Sequence, residues 1–248
     1  MSALPTAAWR GTCAAELTKI RTLPATWIAP ALAAVANTVL GVLAGTDSVR
    51  IASAGGAVAV GRLGTLMLAP VYAFIAIAVF AAGTEYRGGQ LRVSLAAVPD
   101  RTRWFGSKLA VCSAVALVTA IPVVLPGLLV QRVAAGELTA GRTAADLLAL
   151  LAGYLLLSLV GFGFAFVARG FVTPLAVLSI LPILVSTTLG NLFPMVFRFL
   201  PHEATLSLLA LSTDPARALG RGTGLLVLTG WALLFVGTAW ALVVRRDS

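Results

Sequence analysis

The chain carries few residues that could do chemistry. Its 248 residues hold one histidine, two cysteines, 9 Asp+Glu and 18 Lys+Arg. His202 has no second ligand at metal spacing, so a surface residue is expected rather than a metal ligand. No H-E-x-x-H helix and no phosphate-cradling G-x-x-x-x-G-K-[ST] loop occurs, and no pair of carboxylates lies inside an apolar run. Gly161-Phe162-Gly163 opens like a dinucleotide fingerprint but lacks the third glycine and sits within an apolar run. Cys13 and Cys112 cannot build a disulfide framework and read as reduced bystanders. These absences point away from an enzyme and away from any ATP, metal or cofactor site in this chain.

The densest polar chemistry is Thr84–Lys108. Glu85 closes an apolar run, and Gly88-Gly89 break the chain direction. Gln90–Ala97 suits a short helix with Leu91 and Leu95 on one face and Arg92 on another. Pro99 ends it, and Arg101, Arg103 and Lys108 lead into the next apolar run. A short amphipathic helix between two spans suits docking on a soluble partner; a basic loop that only orients the chain fits the spacing equally well.

The elements that must position this segment are apolar. The chain is 59% hydrophobic and 11% charged, against about 25% charged in a typical soluble domain. Six windows of spanning length lack Asp, Glu, Lys and Arg: 24–44, 63–83, 109–130, 147–168, 171–190 and 225–244. The expected fold is therefore all-α, a polytopic membrane protein with six transmembrane helices in a domain over 24–248. Its net charge of +9 then reads as topology rather than nucleic-acid binding. An even number of spans puts both termini on one side. With the termini cytoplasmic, inner segments hold eleven basic residues and outer segments seven.

Within 1–23, Trp9, Cys13, Leu17 and Ile20 share about a quarter of a helical projection, while Arg10, Lys19 and Arg21 lie outside it. This predicts an interfacial amphipathic helix, with Trp9, Leu17 and Ile20 toward the bilayer and Lys19 toward lipid phosphates. Pro122 and Pro126 in the third span, and Pro174 and Pro182 in the fifth, predict kinks. The small-residue pairs Gly41/Gly45, Gly161/Ala165 and Gly237/Ala241 permit close helix approach. Asn37, Thr38, Ser179, Ser186, Thr187 and Thr188 are expected to bond across helices. The apolar connection 191–223 predicts short helices dipping into the outer interface. With no ionisable group inside a span, a self-powered pump or proton-coupled transporter is disfavoured.

The stretch from Glu85 to Lys108 resembles the first cytoplasmic loop of permeases of the second exporter class of ABC transporters, on Glu85, Gly89, Leu95, Pro99, Arg101, Arg103 and Lys108. Ala15 to Trp27 resembles the segment preceding the first span of actinobacterial members. The chain departs from the family pattern at Gln90, where Thr or Ser is usual. The resemblance implies a dimerising half-transporter in the bacterial plasma membrane, paired with a second permease chain and resting on two copies of a separate ATPase subunit that binds ATP and Mg. It implies that Glu85, Tyr86, Arg87, Gly88, Gly89, Gln90, Leu91 and Arg92 form the ATPase-coupling helix. It also implies export of a small amphiphile, drug, peptide or lipid-like molecule. A channel or non-ABC membrane scaffold is the alternative; a lipid-modifying membrane enzyme would need clustered polar groups at one interface.

Overall fold

The computed structural model describes residues 5–53, 56–187, 193–212 and 214–245. Outside the described residues lie Thr188 and the end of the 171–190 window, the start of the expected 191–223 connection, Arg246 and the first residues of 1–23. Nearly everything described is helical. The helices are α1 (Pro5–Thr22), α2 (Ala25–Thr46), α3 (Gly64–Met67), α4 (Ala69–Phe74), α5 (Ala76–Gly83), α6 (Gln90–Ala97), α7 (Arg101–Ala134), α8 (Ala140–Ala168), α9 (Val172–Thr187), α10 (Pro194–Phe197), α11 (Pro201–Leu208) and α12 (Arg221–Arg245). One antiparallel hairpin, β1 (Arg50–Ser53) with β2 (Gly56–Ala59), pairs Arg50 with Ala59 and Ile51 with Val58. It is the strand content among the described residues, and no alternation in so short a segment had marked it.

Five helical segments are long and apolar enough to cross a membrane: Ala25–Thr46, Gly64–Tyr86, Arg101–Ala134, Ala140–Ala168 and Arg221–Arg245. The expected span at 171–190 is described only as far as Thr187. Its helix, α9, has 16 residues, about 24 Å at 1.5 Å per residue, against about 30 Å of hydrocarbon. The apolar side chains Val35 (65% exposed), Val118 (68%), Leu226 (73%) and Leu233 (69%) face outward from α2, α7 and α12. Water would penalise such a surface and lipid would not.

Proline acts where the sequence did not point. Pro122 and Pro126 lie inside an unbroken 34-residue α7, and Pro182 lies inside α9. It is the second span that is segmented, into α3, α4 and α5, with Pro70 in the first turn of α4. The proline ring suits a first helical turn, where the missing N–H costs no intrahelical bond.

Two of the three small-residue pairs pack within the chain. A Cβ on Gly41 would lie 2.4 Å from the Gly127 carbonyl oxygen, and one on Gly45 would lie 2.7 Å from the Ala134 methyl. Such glycines bring α2 and α7 to backbone contact. Gly161 faces Val79 and Ala165 is fully buried. Around Gly237 the space is open. Of the polar residues within spans, Asn37 donates to Tyr154 Oη at 2.8 Å and so bonds across helices. Thr38 donates to Ala34 of its own helix.

The termini share one end of the bundle. There Arg101, the first residue of α7, donates to the Val243 carbonyl near the end of α12 at 3.1 Å. Trp104, Phe105, Phe162 and Phe166 pack edge-on and tilted between α7 and α8, with centroids 5.1–6.0 Å apart, and set the floor beneath α6.

Candidate functional site

The helix expected at 90–97 is present with those bounds as α6. Its start needs glycine. Gly88 (φ 59°) and Gly89 (φ 75°) both sit in the left-handed region, where a Cβ is strained. Gly89 is also the N-cap, and no side chain caps the helix. Val98 and Pro99 end α6. Asp100 then caps α7 by accepting from the Arg103 amide at 3.0 Å.

The proposed coupling residues split into two groups. Arg87, Gly88, Gly89, Gln90 and Arg92 are exposed, with Val93 (70% exposed) beside them. Leu91 and Tyr86 are half-buried and Glu85 is buried. Glu85 and Tyr86 belong to a single 3₁₀ turn that closes the second span, so the helix starts at Gln90 and not at Glu85. Arg87 stacks on the Phe171 ring, 5.5 Å from its centroid.

Glu85 sits at the centre of a buried ion cluster. Lys108 Nζ lies 2.8 Å from Glu85 Oε1 and 2.5 Å from Glu16 Oε2. Lys19 Nζ lies 2.9 Å from Glu16 Oε1 and 3.2 Å from Glu85 Oε1. Ser94 Oγ donates to Glu85 Oε2 at 2.9 Å and accepts from Lys19 at 2.9 Å. Two cations and two anions compensate one another, as buried charges must. Burial works against the Lys19 charge, but the hydrogen bond to Glu16 and the charge on Glu85 outweigh it and hold its pKa above the ordinary lysine value. The four charges and Ser94 come from α1, the 3₁₀ turn, α6 and α7, so α6 cannot move without pulling on α1 and α7.

The expected membrane anchor therefore has other partners. Lys19 meets carboxylates, not open space, and Ile20 is 1% exposed inside the bundle. Leu17 packs partly buried against the core. Trp9, 39% exposed, lies over Gly106 of α7. The apolar arc of α1 packs against α7 with an acid at its edge: at 100° per residue Glu16 falls about 20° from Trp9, on the side away from Cys13 and Leu17, and it is 2% exposed. A carboxylate buried beside an apolar face demands a buried cation. That signal, legible in the sequence, would have found both Glu16 and Lys108 as site residues.

Two cavities undercut α6. One, about 490 Å³, is lined by Lys19, Leu23, Glu85, Arg87 and Lys108. The other, about 270 Å³, is lined by Tyr86, Leu91, Leu95, Arg101 and Arg169. A short helix tied by ions and flanked by voids has room to tilt. Among the described residues no group of three or more His, Cys, Asp or Glu could hold a metal.

At the opposite end His202 corrects the expectation of a surface residue: it is 5% exposed. Its Nδ1 is 2.6 Å from Tyr72 Oη. Burial, followed by the nearby Arg217 charge, lowers its pKa to about 4. The short helices α10 and α11 stand in the 191–223 connection as expected in kind, but α11 is buried against the bundle from His202 to Leu208. No protein-family model matches the chain, and no curated protein matches it.

Proposed function

We propose that the chain is the permease subunit of an ABC exporter of the second class, with no ATP site of its own. In this reading the 171–190 window completes six spans, both termini face the cytoplasm of a bacterial plasma membrane, and a second permease chain completes the transporter. Two copies of an ATPase subunit dock on the exposed face of Arg87, Gly88, Gly89, Gln90, Arg92 and Val93. The cargo is a small amphiphile, drug, peptide or lipid-like molecule.

The observation that carries this reading is the buried cluster of Lys108, Lys19, Glu16 and Glu85 with Ser94. A docking helix transmits force only if something stiff joins it to the spans, and these contacts join α6 to α1 and α7. Closure of the ATPase pair would tilt α6, and α7 would carry that tilt 34 residues to the far end.

The test is co-purification with the ATPase encoded beside the gene. Charge reversal at Arg87 and Arg92 together with Val93→Asp abolishes capture if the exposed face docks the ATPase. Capture at the wild-type level by that triple variant contradicts the assignment. An unchanged phenotype after deletion of the ATPase gene favours a channel or scaffold instead.

A further inference from the structure

A separate cavity opens at the end of the bundle opposite the termini. It has a volume of about 260 Å³ and lies between α2, the end of α3, α7, α8 and the start of α12, beside the turn after α11. Asn37 and Tyr154 form its floor and are hydrogen-bonded to each other at 2.8 Å. Leu68, Val124, Leu128 and Leu150 line its walls. At the rim Asp146 is shared by Arg132 and by Arg221, the latter at 3.2 Å. Eight residues of α8 separate Asp146 from Tyr154, about 12 Å of helix.

We propose that this cavity binds a single-chain monoanionic amphiphile, its carboxylate or phosphate head at Arg221 and its chain running toward Tyr154. Arg132 pairs with Asp146 and, at 2.9 Å, with Glu137, which is 61% exposed and does not line the cavity, so the guanidinium without an acid of its own is that of Arg221. Arg221 is half exposed and gives one contact to Asp146, leaving guanidinium N–H groups able to meet an anion. Asn37 donates to Tyr154 Oη and, at 3.3 Å, to the Val123 carbonyl, so its amide N–H groups are satisfied at the floor, and the apolar chain packs on the walls of Leu68, Val124, Leu128 and Leu150. The volume equals eight or nine waters at about 30 Å³ each, which admits one short chain and excludes a two-tailed phospholipid. The site lies within one chain and its occupancy needs no ATPase, so this inference and the coupling reading stand or fall separately.

The test is equilibrium binding of radiolabelled octanoate to the full chain in phosphatidylcholine nanodiscs, with empty discs subtracted. The expected result is saturable binding, displaced by octyl phosphate and not by octylammonium. Arg221→Gln should weaken binding by about tenfold, the loss of one charged hydrogen-bonding group. Leu150→Trp should fill the cavity, leave the rim intact and abolish binding. Arg221 is exposed enough that its variant keeps the fold and decides the matter even if Leu150→Trp does not fold. Absence of saturable binding, equal displacement by octylammonium, or wild-type affinity in Arg221→Gln would overturn the proposal. Displacement of octanoate by phosphatidylglycerol in the disc would overturn its single-chain form.

Discussion

At the termini end the buried charges join elements far apart in sequence, with Glu16 reaching Lys108 and Lys19 reaching Glu85 and Ser94. At the far end they form arginine–carboxylate pairs around a cavity and beneath α11: Arg132 and Arg221 on Asp146, and Arg217 on Glu203 and Asp214. The first cluster is a cross-link, with Lys108 and Glu85 at 1% and 2% exposure. The second is more open at the cavity rim, where Arg221 is 52% exposed, though Arg217 and Glu203 beneath α11 are only 11% and 4% exposed. Ion pairs thus stand differently at two ends of one bundle: one set ties α1, α6 and α7 together, the other borders a cavity.

Substitutions at each end test that contrast, and the largest effect belongs to the cross-link. Lys108→Met leaves Glu16 and Glu85 buried without their closest cation and should cost about 3–5 kcal/mol, read as a drop in the thermal unfolding midpoint of the solubilised protein. The same treatment at the rim, Arg221→Met, should cost under about 1 kcal/mol, because that side chain is half exposed. Equal losses at the two ends would erase the contrast.

The helix contact between the ends comes next. Gly41→Leu drives a side chain into the Gly127 backbone and should cost about 1–3 kcal/mol through forced separation of α2 and α7. The same substitution at Gly237, where the space is open, should leave the unfolding midpoint unchanged.

The far end should also respond to pH. His202 has a pKa of about 4 in the fold against about 6.5 when unfolded. Below 6.5 the unfolded chain takes up the proton and the folded chain does not. The His202 contribution to stability is thus complete above pH 6.5 and is lost as pH falls toward 4. Glu203 works in the opposite direction, since burial holds its carboxyl above the ordinary range despite Arg217. Unfolding midpoints at pH 7 and pH 4.5 should therefore converge in His202→Gln relative to wild type. The smallest effect is expected at Lys19→Gln. This lysine is 43% exposed, and its loss should cost about 1 kcal/mol or less while Lys108 still holds both carboxylates.

How much of this was legible depends on what each residue had to report. Apolar windows without charge marked five of the long helices, because length and hydropathy alone decide that property. Gly88-Gly89 and Pro99 bracketed α6 correctly, because left-handed turns and proline act locally. The hairpin at 50–59 was missed, since four-residue strands leave no usable period. Segmentation of the second span was missed too: Pro70 stands in the first turn of α4, while Pro122 and Pro126 lie inside an unbroken α7. For the site, the basic loop was visible but its depth was not. Glu85 reads as a surface acid until Lys108 is brought to it by packing. Glu16, an acid at the edge of an apolar arc, was the one clue that pointed inward.

The central claim is that the buried cluster carries motion from α6 to the spans. The direct measurement is transport of a fluorescent amphiphile per ATP hydrolysed, in proteoliposomes holding the permease and its ATPase. The variant is Ser94→Ala, which frees α6 from Glu85 and Lys19 without burying an unpaired charge. The account predicts normal ATPase capture and hydrolysis with transport per ATP reduced several-fold. Hydrolysis and transport both at wild-type levels would contradict it.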